Sequence, residues 1–180
     1  MRLPNLLDAS DLPLTELSAL RLDGEVFGLG DGFRPVDSPD DIRARALSLR
    51  RLLDGGRIAH RETAAWILGV LAAPPRPVPF CVHAGRSKGI DPLHGSILSE
   101  AILRAEEIRE SDGVRWTSPL RTAVDLIRAP SLTPANAEAI RRLRDEQGIA
   151  FEAVIAHLAD RRFQRERVRA LRHLDAVDAA

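Results

Sequence analysis

The spacing of apolar residues divides the chain into helical, alternating and again helical regions. Between residues 42 and 53 apolar side chains recur every three or four positions, at Ile42, Ala46, Leu49 and Leu53, which indicates one helix with a single buried stripe. We predict that Ser38 caps this helix and that Asp41 completes a capping box. After Gly55-Gly56, residues from about 60 to 71 are apolar almost all round, which favours a second helix in the core.

Residues 11–36 predict a short helix that leads into a β-hairpin. Pro13 suits the first helical position, Asp23-Gly24 ends the helix, and Gly30-Asp31-Gly32 forms the turn between two short strands. A helix followed by a small hairpin is the back half of a winged helix, and the residues in front are too few for its first helices. We therefore predict that residues 1–38 form a partial, winged-helix-like segment.

From residue 77 the pattern changes to strands. The runs PVPFCVHAGR and SILSEAIL each predict a strand, and EEIRE and VRWTS predict a hairpin around Ser111-Asp112-Gly113. The last strand enters a helix at Ser118-Pro119, where Ser118 is a natural N-cap and Pro119 fits the first helical position. Residues 39–130 are accordingly predicted as a central mixed α/β domain with a small sheet.

Beyond Pro130 the helical spacing returns. Thr133-Pro134 begins a helix that ends at Gly148, a second helix carries Phe151 to Leu158, and a third spans roughly 161–175. Residues 131–180 are therefore predicted as a helical C-terminal segment. The fold class that follows is α+β, with a reduced winged-helix-like N-terminal piece, a mixed α/β centre and a helical C-terminus.

The composition narrows the class of protein. Apolar residues make up 44% of the chain and charged residues 29%, as in globular domains. No apolar run approaches the roughly 20 residues that a spanning helix needs, and the first residues do not resemble a secretory signal. The lone Cys81 excludes a disulfide framework and a cysteine-based zinc cluster. We expect a cytoplasmic protein.

The net charge is zero, but the charges are unevenly distributed. Residues 1–40 contain 3 basic and 8 acidic residues, residues 41–90 contain 9 and 3, and residues 161–172 contain six arginines beside Glu166. Contacts with nucleic acid or an acidic partner are therefore expected from the last two regions. The candidates are Arg43, Arg50, Arg51, Arg86, Lys88, Arg161, Arg162, Arg165 and Arg169. Solvated helix faces and a flexible loop are the alternative explanation.

The motifs of common enzymes are weakly represented. No Glu-x-Lys follows an aspartate as in restriction-type nucleases, no Asp-x-Asp follows Gly95-Ser96 as in nucleotidyltransferases, and the histidines lack zinc-binding spacing. His83 and His94 could approach each other with Asp91 between them, although ordinary histidines are more common. We predict a protein without catalytic activity, cofactor or metal. A metal-dependent nuclease that uses Asp91, His94 and Glu100 remains the alternative.

The stretch VRWTSPLRTAVDLIR (114–128) admits a structural and a functional interpretation. Its helix has an apolar face, while Arg121 and Asp125 lie one turn apart and can form an ion pair. Thr122 can hydrogen-bond locally. We therefore predict that Ser118, Arg121, Thr122 and Asp125 are a structural signature that locks a strand to a helix. The functional alternative is that Arg121 faces a partner.

Three stretches together resemble the AbiEi family of antitoxins from bacterial type IV toxin–antitoxin pairs: GEVFGLGDGFRPV, RIAHRETAAWILGVL and VRWTSPLRTAVDLIR. The resemblance covers roughly residues 12–175. It implies a winged helix followed by an α/β domain, repression of its own operon through operator DNA, and antagonism of a nucleotidyltransferase-like toxin.

This chain departs from the AbiEi pattern at both ends. Its winged helix lacks the first helices, so a degenerate protein-interaction module without DNA binding is an alternative. Some proteins of this architecture continue into an endonuclease domain. Because this chain stops about where such a domain would begin, we expect no such activity.

Overall fold

A computed structural model describes residues 5–87 and 95–179. Its helices are α1 (Leu14–Leu22), α2 (Ile42–Ser48), α3 (Arg50–Leu53), α4 (Arg61–Ile67), α5 (Pro119–Ile127), α6 (Pro134–Gln147), α7 (Phe151–Leu158) and α8 (Arg167–Asp178). Its strands are β1 (Val26–Leu29), β2 (Gly32–Pro35), β3 (Ile58–Ala59), β4 (Val78–His83), β5 (Ser96–Ala101), β6 (Ile108–Ser111) and β7 (Val114–Thr117). Short 3₁₀ helices span Ala105–Glu107 and Arg161–Phe163. The fold is α+β with a helical C-terminus, as predicted.

The larger sheet has the strand order β5-β4-β3-β7-β6. β4 and β5 run parallel, as do β3 and β7, whereas β3–β4 and β6–β7 are antiparallel. The sequence pattern did not indicate β3, since two residues are too few to show alternation. β3 nevertheless joins the two halves of the sheet: Ala59 pairs with Trp116 of β7 and with Phe80 of β4.

The β6–β7 hairpin turns at Asp112-Gly113, as the sequence predicted. Both residues have positive φ, 51° and 79°, which matches the type I′ turn that suits the twist of paired strands. Asp112 also accepts hydrogen bonds from Arg43 Nε at 2.8 Å and Nη2 at 2.9 Å. The hairpin is thereby linked to α2.

The N-terminal segment forms a helix and a two-stranded hairpin with a small apolar cluster of their own. Leu7, Leu17 and Val26 are buried in this cluster, and Leu7 adds a bridge to Phe33 of β2. Gly30 has a φ of 57° in the turn, and a Cβ there would collide with Ser48 of α2. The hairpin therefore packs closely against the central domain at this glycine.

Two predicted helix boundaries were wrong. α2 begins at Ile42 with Asp41 as its N-cap, whose carboxylate accepts the N–H of Ala44 at 2.8 Å. Ser38 therefore does not cap the helix. The predicted single helix is also divided at Leu49, whose φ of −104° and ψ of 9° separate α2 from α3.

The late helix begins further along the chain than its arginine pattern indicated. Asp160 caps the 3₁₀ helix Arg161–Phe163 through the N–H of Arg162, and α8 starts only at Arg167. Local capping by an aspartate competes with helix formation. A continuous helix was predicted over roughly residues 161–175, but this break in it allows Phe163 to lie in the core.

One large apolar core runs from the central domain into the C-terminal helices. It includes residues from Ala46 to Val177. α5 lies near its centre and contacts α4, α6, α7 and α8. The predicted segments 39–130 and 131–180 thus share a core.

Candidate functional site

The predicted structural signature lies where β7 turns into α5. Ser118 is the N-cap, and its Oγ accepts a hydrogen bond from the N–H of Arg121 at 3.4 Å. Thr122 Oγ1 lies 2.7 Å from Thr117 Oγ1 and donates to the Thr117 carbonyl at 3.1 Å. These hydrogen bonds fix the direction in which the chain leaves the sheet.

Arg121 is the centre of a buried ionic network and is only 3% exposed. Its Nε lies 3.0 Å from both carboxylate oxygens of Asp125. Its Nη1 donates to Glu107 Oε2 and to the Ile102 carbonyl, each at 3.1 Å. A guanidinium can be buried only with such partners. Arg121 therefore offers almost no surface to a second protein.

Two residues of the C-terminal segment also bind the carboxylate of Glu107. Arg162 Nη1 and Nη2 donate to Glu107 Oε2 and Oε1 at 2.9 and 3.0 Å. His157 Nε2 lies 2.7 Å from Glu107 Oε1. Glu107 thus joins α5, α7 and the 3₁₀ helix Arg161–Phe163.

Phe163 provides the apolar base of the network and is 2% exposed. The guanidinium carbons of Arg121, Arg128 and Arg162 lie 5.2, 4.3 and 5.0 Å from its ring centroid. Guanidinium groups are attracted to aromatic faces at such distances. The ring lets three like charges lie close together while Glu107 and Asp125 neutralise them.

The two buried carboxylates respond differently to the same surroundings. Burial raises the pKa of Glu107, but hydrogen bonding by Arg162 and the charge of Arg121 are among the effects that outweigh it and lower the pKa to about 2. Burial raises the pKa of Asp125, although Arg121 and Arg128 act in the opposite direction. Glu107 is thus the carboxylate that the network holds ionised over the widest pH range.

A cavity of about 260 Å³ opens beside this network, between β5 and the start of α4. On its wall Ser99 Oγ lies 3.1 Å from His60 Nε2, as a serine nucleophile lies beside its base. Burial lowers the pKa of His60 to about 3, and the charge of Arg61 adds to this effect. A general base works best with a pKa near the operating pH. His60 is therefore too weak a base to activate Ser99 efficiently, and the pair contributes polar groups to the cavity lining.

A second serine lies in the spacing of a nucleophile elbow, since residues 85–89 read Gly-x-Ser-x-Gly. The Ser87 hydroxyl donates to the carboxylate of Glu100, which also accepts the N–H groups of Gly85 and Ser87 at 3.2 and 3.3 Å. The serine of a nucleophile elbow instead lies on a turn between a strand and a helix, and its hydroxyl contacts a histidine. Ser87 follows a strand in the sheet and has no such partner in the described part of the chain.

The residues of the nuclease alternative are only partly described. Asp91 and His94 lie outside residues 5–87 and 95–179, and so does the predicted approach of His83 to His94. Glu100 is occupied by the loop at residues 85–87. Within the described ranges, no group of three or more His, Cys, Asp or Glu side chains is placed to hold a metal ion.

The first three predicted contact residues, Arg43, Arg50 and Arg51, line an open cleft between the N-terminal segment and α2–α3. The cleft is also lined by four carboxylates, those of Asp8, Asp11, Asp31 and Asp54. Arg51 Nη2 lies 3.8 Å from Asp8 Oδ1. Because nucleic-acid affinity comes mainly from neutralising phosphates, this balance of charge is unfavourable for a phosphate backbone.

The next predicted contacts lie on the loop after β4. Arg86 is exposed there, and Lys88 lies outside the described residues. Contact of Arg86 with a partner remains a prediction.

The late arginines divide into a buried and an exposed group. Arg162 was predicted as a surface contact, but its side chain is 13% exposed and bound to Glu107, so it belongs to the network. Arg161 opens the 3₁₀ helix. Arg165 and Arg169 are exposed, and Arg169 Nη2 donates to the Arg128 carbonyl at 2.9 Å.

Two further exposed arginines, Arg167 and Arg172, were not selected from the sequence. Together with Arg165 they form no side-chain hydrogen bond or ion pair to any part of the chain that the structure describes. We call Arg165, Arg167, Arg169 and Arg172 the α8 arginine surface.

Sequence reasoning missed three members of the network, namely Glu107, His157 and Phe163. Their distance from Arg121 in sequence hides the contacts. The one available signal was Phe163, a single aromatic residue within RRFQR, because an apolar ring in a charged run often marks a buried position.

Comparison with known proteins bears on the fold alone. No protein-family model matches the chain, and no match to a curated protein was found. The crystal structure of the RV2827C protein from Mycobacterium tuberculosis is similar, with a TM-score of 0.50 and 17% sequence identity over 97% of this chain and 72% of that one. Within the described residues, no helix is long and apolar enough to cross a membrane.

Proposed function

We propose that the protein is a non-enzymatic, cytoplasmic regulator of the AbiEi type, which antagonises a nucleotidyltransferase-like toxin and represses its own operon. The observation that carries the proposal is the stretch 114–128, the most specific part of the AbiEi resemblance. Its residues Ser118, Arg121, Thr122 and Asp125 all make contacts that hold the fold together. The signature thus has a physical role in positioning the C-terminal segment.

The α8 arginine surface is the favoured contact for an acidic partner. Arg169 and Arg172 are three residues apart, so they lie on the same side of α8. The nearby Glu166 is directed inward, where its Oε2 lies 3.5 Å from Arg128 Nη2. Within the described residues no ion pair involves the four arginines of this surface, whereas Arg43 and Arg51 in the cleft at α2–α3 pair with Asp112 and Asp8.

The acidic N-terminal segment favours the alternative, a protein-interaction module that does not bind DNA. The α1 helix has Glu16 in its first turn and a single basic residue, Arg21, in its last. Over residues 1–40 there are 8 acidic and 3 basic residues, and a segment of that net charge repels phosphates. Among the described residues, the α8 arginine surface and the exposed Arg86 are then the favoured contacts for DNA.

Co-expression with the product of the neighbouring gene tests the antitoxin role. We expect the wild-type chain to restore growth when that product is toxic. An Arg165→Ala/Arg172→Ala variant is expected to lose rescue if the surface contacts the toxin, while Arg21→Ala, a remote exposed arginine, retains it. A wild-type chain that neither restores growth nor shifts DNA would refute the proposal.

A gel shift with the DNA upstream of its own gene distinguishes a DNA-binding regulator from a protein-interaction module that does not bind DNA. If DNA binds through α8, affinity decreases with salt on a log–log plot, and the magnitude of that slope decreases by about 0.9 for each arginine–phosphate contact that a variant removes. Rescue of growth without any gel shift would instead support the interaction module.

A further inference from the structure

The cavity beside the network has no role in the proposed regulator. It is lined by the end of β5 and the start of α4, with Ser99, Glu100, His60 and Arg61 around it and Arg128 on one side. A volume of about 260 Å³ is near the lower end of small-molecule sites. A cavity of this size accommodates a compact ligand.

The charges in the lining favour an anion over a cation. Four guanidinium groups line the cavity, those of Arg61, Arg121, Arg128 and Arg162, against the carboxylates of Glu100 and Asp125. Both carboxylates are already engaged.

Asp125 is held by Arg121 and Arg128, and Glu100 by the N–H groups of Gly85 and Ser87. A metal cation would find no free carboxylate and would be repelled by the arginines.

Arg61 is the cation that remains available. It is exposed and makes no hydrogen bond or ion pair with residues 5–87 or 95–179. Its φ of 50° is in the left-handed region, which is unfavourable for a residue with a Cβ. Strained residues of this kind concentrate at functional sites. Here the strained residue follows His60 in the chain, and both line the cavity.

Ser99 and His60 supply uncharged polar groups next to that cation. Because burial keeps the imidazole neutral near pH 7, His60 adds no second charge. In the tautomer with the proton on Nε2, His60 donates to Ser99 Oγ. Among residues 5–87 and 95–179, the serine hydroxyl then has only the Phe80 carbonyl as an acceptor, at the long distance of 3.5 Å, and a phosphate oxygen in the cavity can replace it. A charged fork with a hydroxyl donor is the arrangement that binds a phosphate group.

We propose that this cavity binds the phosphate group of a small molecule, with Arg61 as its charged ligand and Ser99 as a hydroxyl donor. The partners already bound to Arg121, Arg128 and Asp125 make these residues a fixed wall around the phosphate. Nothing in this site requires DNA or a toxin, so it stands apart from the regulator function.

The test is an NMR titration of the ¹⁵N-labelled chain with inorganic phosphate and, separately, with glycerol 3-phosphate, at ionic strength held constant with sodium chloride. We expect saturable shifts at the backbone amides of Arg61 and Ser99. Tighter binding of glycerol 3-phosphate would identify a phosphorylated metabolite as the ligand, and equal or tighter binding of inorganic phosphate would identify the free ion.

Two variants decide whether the cavity is the site. Arg61→Gln is expected to weaken phosphate binding at least tenfold and Ser99→Ala by a smaller factor, whereas Arg172→Gln, which removes an exposed charge elsewhere, leaves it unchanged. We expect all three variants to fold, and the amide spectrum of each variant checks this. Shifts that do not saturate, or equal weakening by Arg61→Gln and Arg172→Gln, would overturn the proposal.

Discussion

Replacing Arg121 by methionine isolates the buried network, because methionine fills much of the same volume without a charge. The change leaves Asp125, which is 5% exposed, with Arg128 as its remaining cation. Glu107 retains Arg162 and His157. Removing one partner of a buried ion pair typically destabilises by about 3–5 kcal/mol. That is a large part of the roughly 5–15 kcal/mol by which a domain of this kind is stable.

Urea unfolding followed by circular dichroism measures the effect. With a slope of about 2 kcal/mol per molar urea, Arg121→Met should lower the midpoint by about 2 M. Arg142→Met is the matched control, since Arg142 forms an exposed pair with Glu146 on α6, and such pairs contribute about 0–1 kcal/mol. The double variant Arg121→Met/Asp125→Leu should be more stable than Arg121→Met, because it no longer buries a poorly paired carboxylate.

The outcome that would refute this reasoning is specific. If Arg121→Met unfolds within about 1 kcal/mol of the wild type and fails only in growth rescue or DNA binding, then Arg121 acts on a partner. The structural interpretation of the 114–128 signature would then be wrong.

Three further predictions follow from single residues. Glu107→Gln should be less stable than the wild type at pH 7. The difference in stability should shrink as the pH falls from 4.5 toward 2, because a carboxylate with a lowered pKa in the folded state stabilises the fold only while it is ionised. Urea unfolding of both proteins at several pH values in this range measures the difference, and a difference that stays constant would contradict the prediction. Gly30→Ala should destabilise more than Gly113→Ala, and Gly113→Ala by about 1 kcal/mol, because Gly30 has both positive φ and a blocked Cβ position whereas Gly113 has positive φ alone. Gly28→Ala is the control, since its Cβ position is open and its φ is ordinary, and equal midpoints for all three would contradict the argument. Arg61→Gly should leave stability unchanged or raise it by up to about 1 kcal/mol while abolishing phosphate binding, and a clear loss of stability would show that the Arg61 side chain supports the fold.

Much of the secondary structure could be predicted because it depends on neighbours in sequence. The hairpin at Asp112-Gly113 requires two residues that tolerate positive φ, and Ser118-Pro119 is a sufficient signal for the start of α5. Thr133 and Gly148 likewise mark the two ends of α6. The error at Asp41 arose because Ser38 and Asp41 could each cap the helix and the local pattern did not distinguish between them. The late helix was misplaced because Asp160 caps a short 3₁₀ helix, and the α helix begins only at Arg167.

The candidate site could be predicted only in part, for a physical reason. The i to i+4 spacing of Arg121 and Asp125 indicates an ion pair, but spacing alone does not reveal whether that pair is buried. Burial is decided by Glu107 and Phe163, which are close to Arg121 only after the chain has folded. The same holds for His60 and Ser99, which are 39 residues apart in sequence.

The sequence by itself determined the class of fold, the positions of most turns and caps, and the stretch 114–128 that carries the family resemblance. These depend on periodicity and on backbone preferences that act within a few residues. The tertiary structure alone decided which arginines are available to a partner: Arg162 is turned inward against Glu107 and Phe163, while Arg165 and Arg172 remain exposed. Charge along a sequence gives the number of cations, but only packing determines which of them a buried carboxylate has already neutralised.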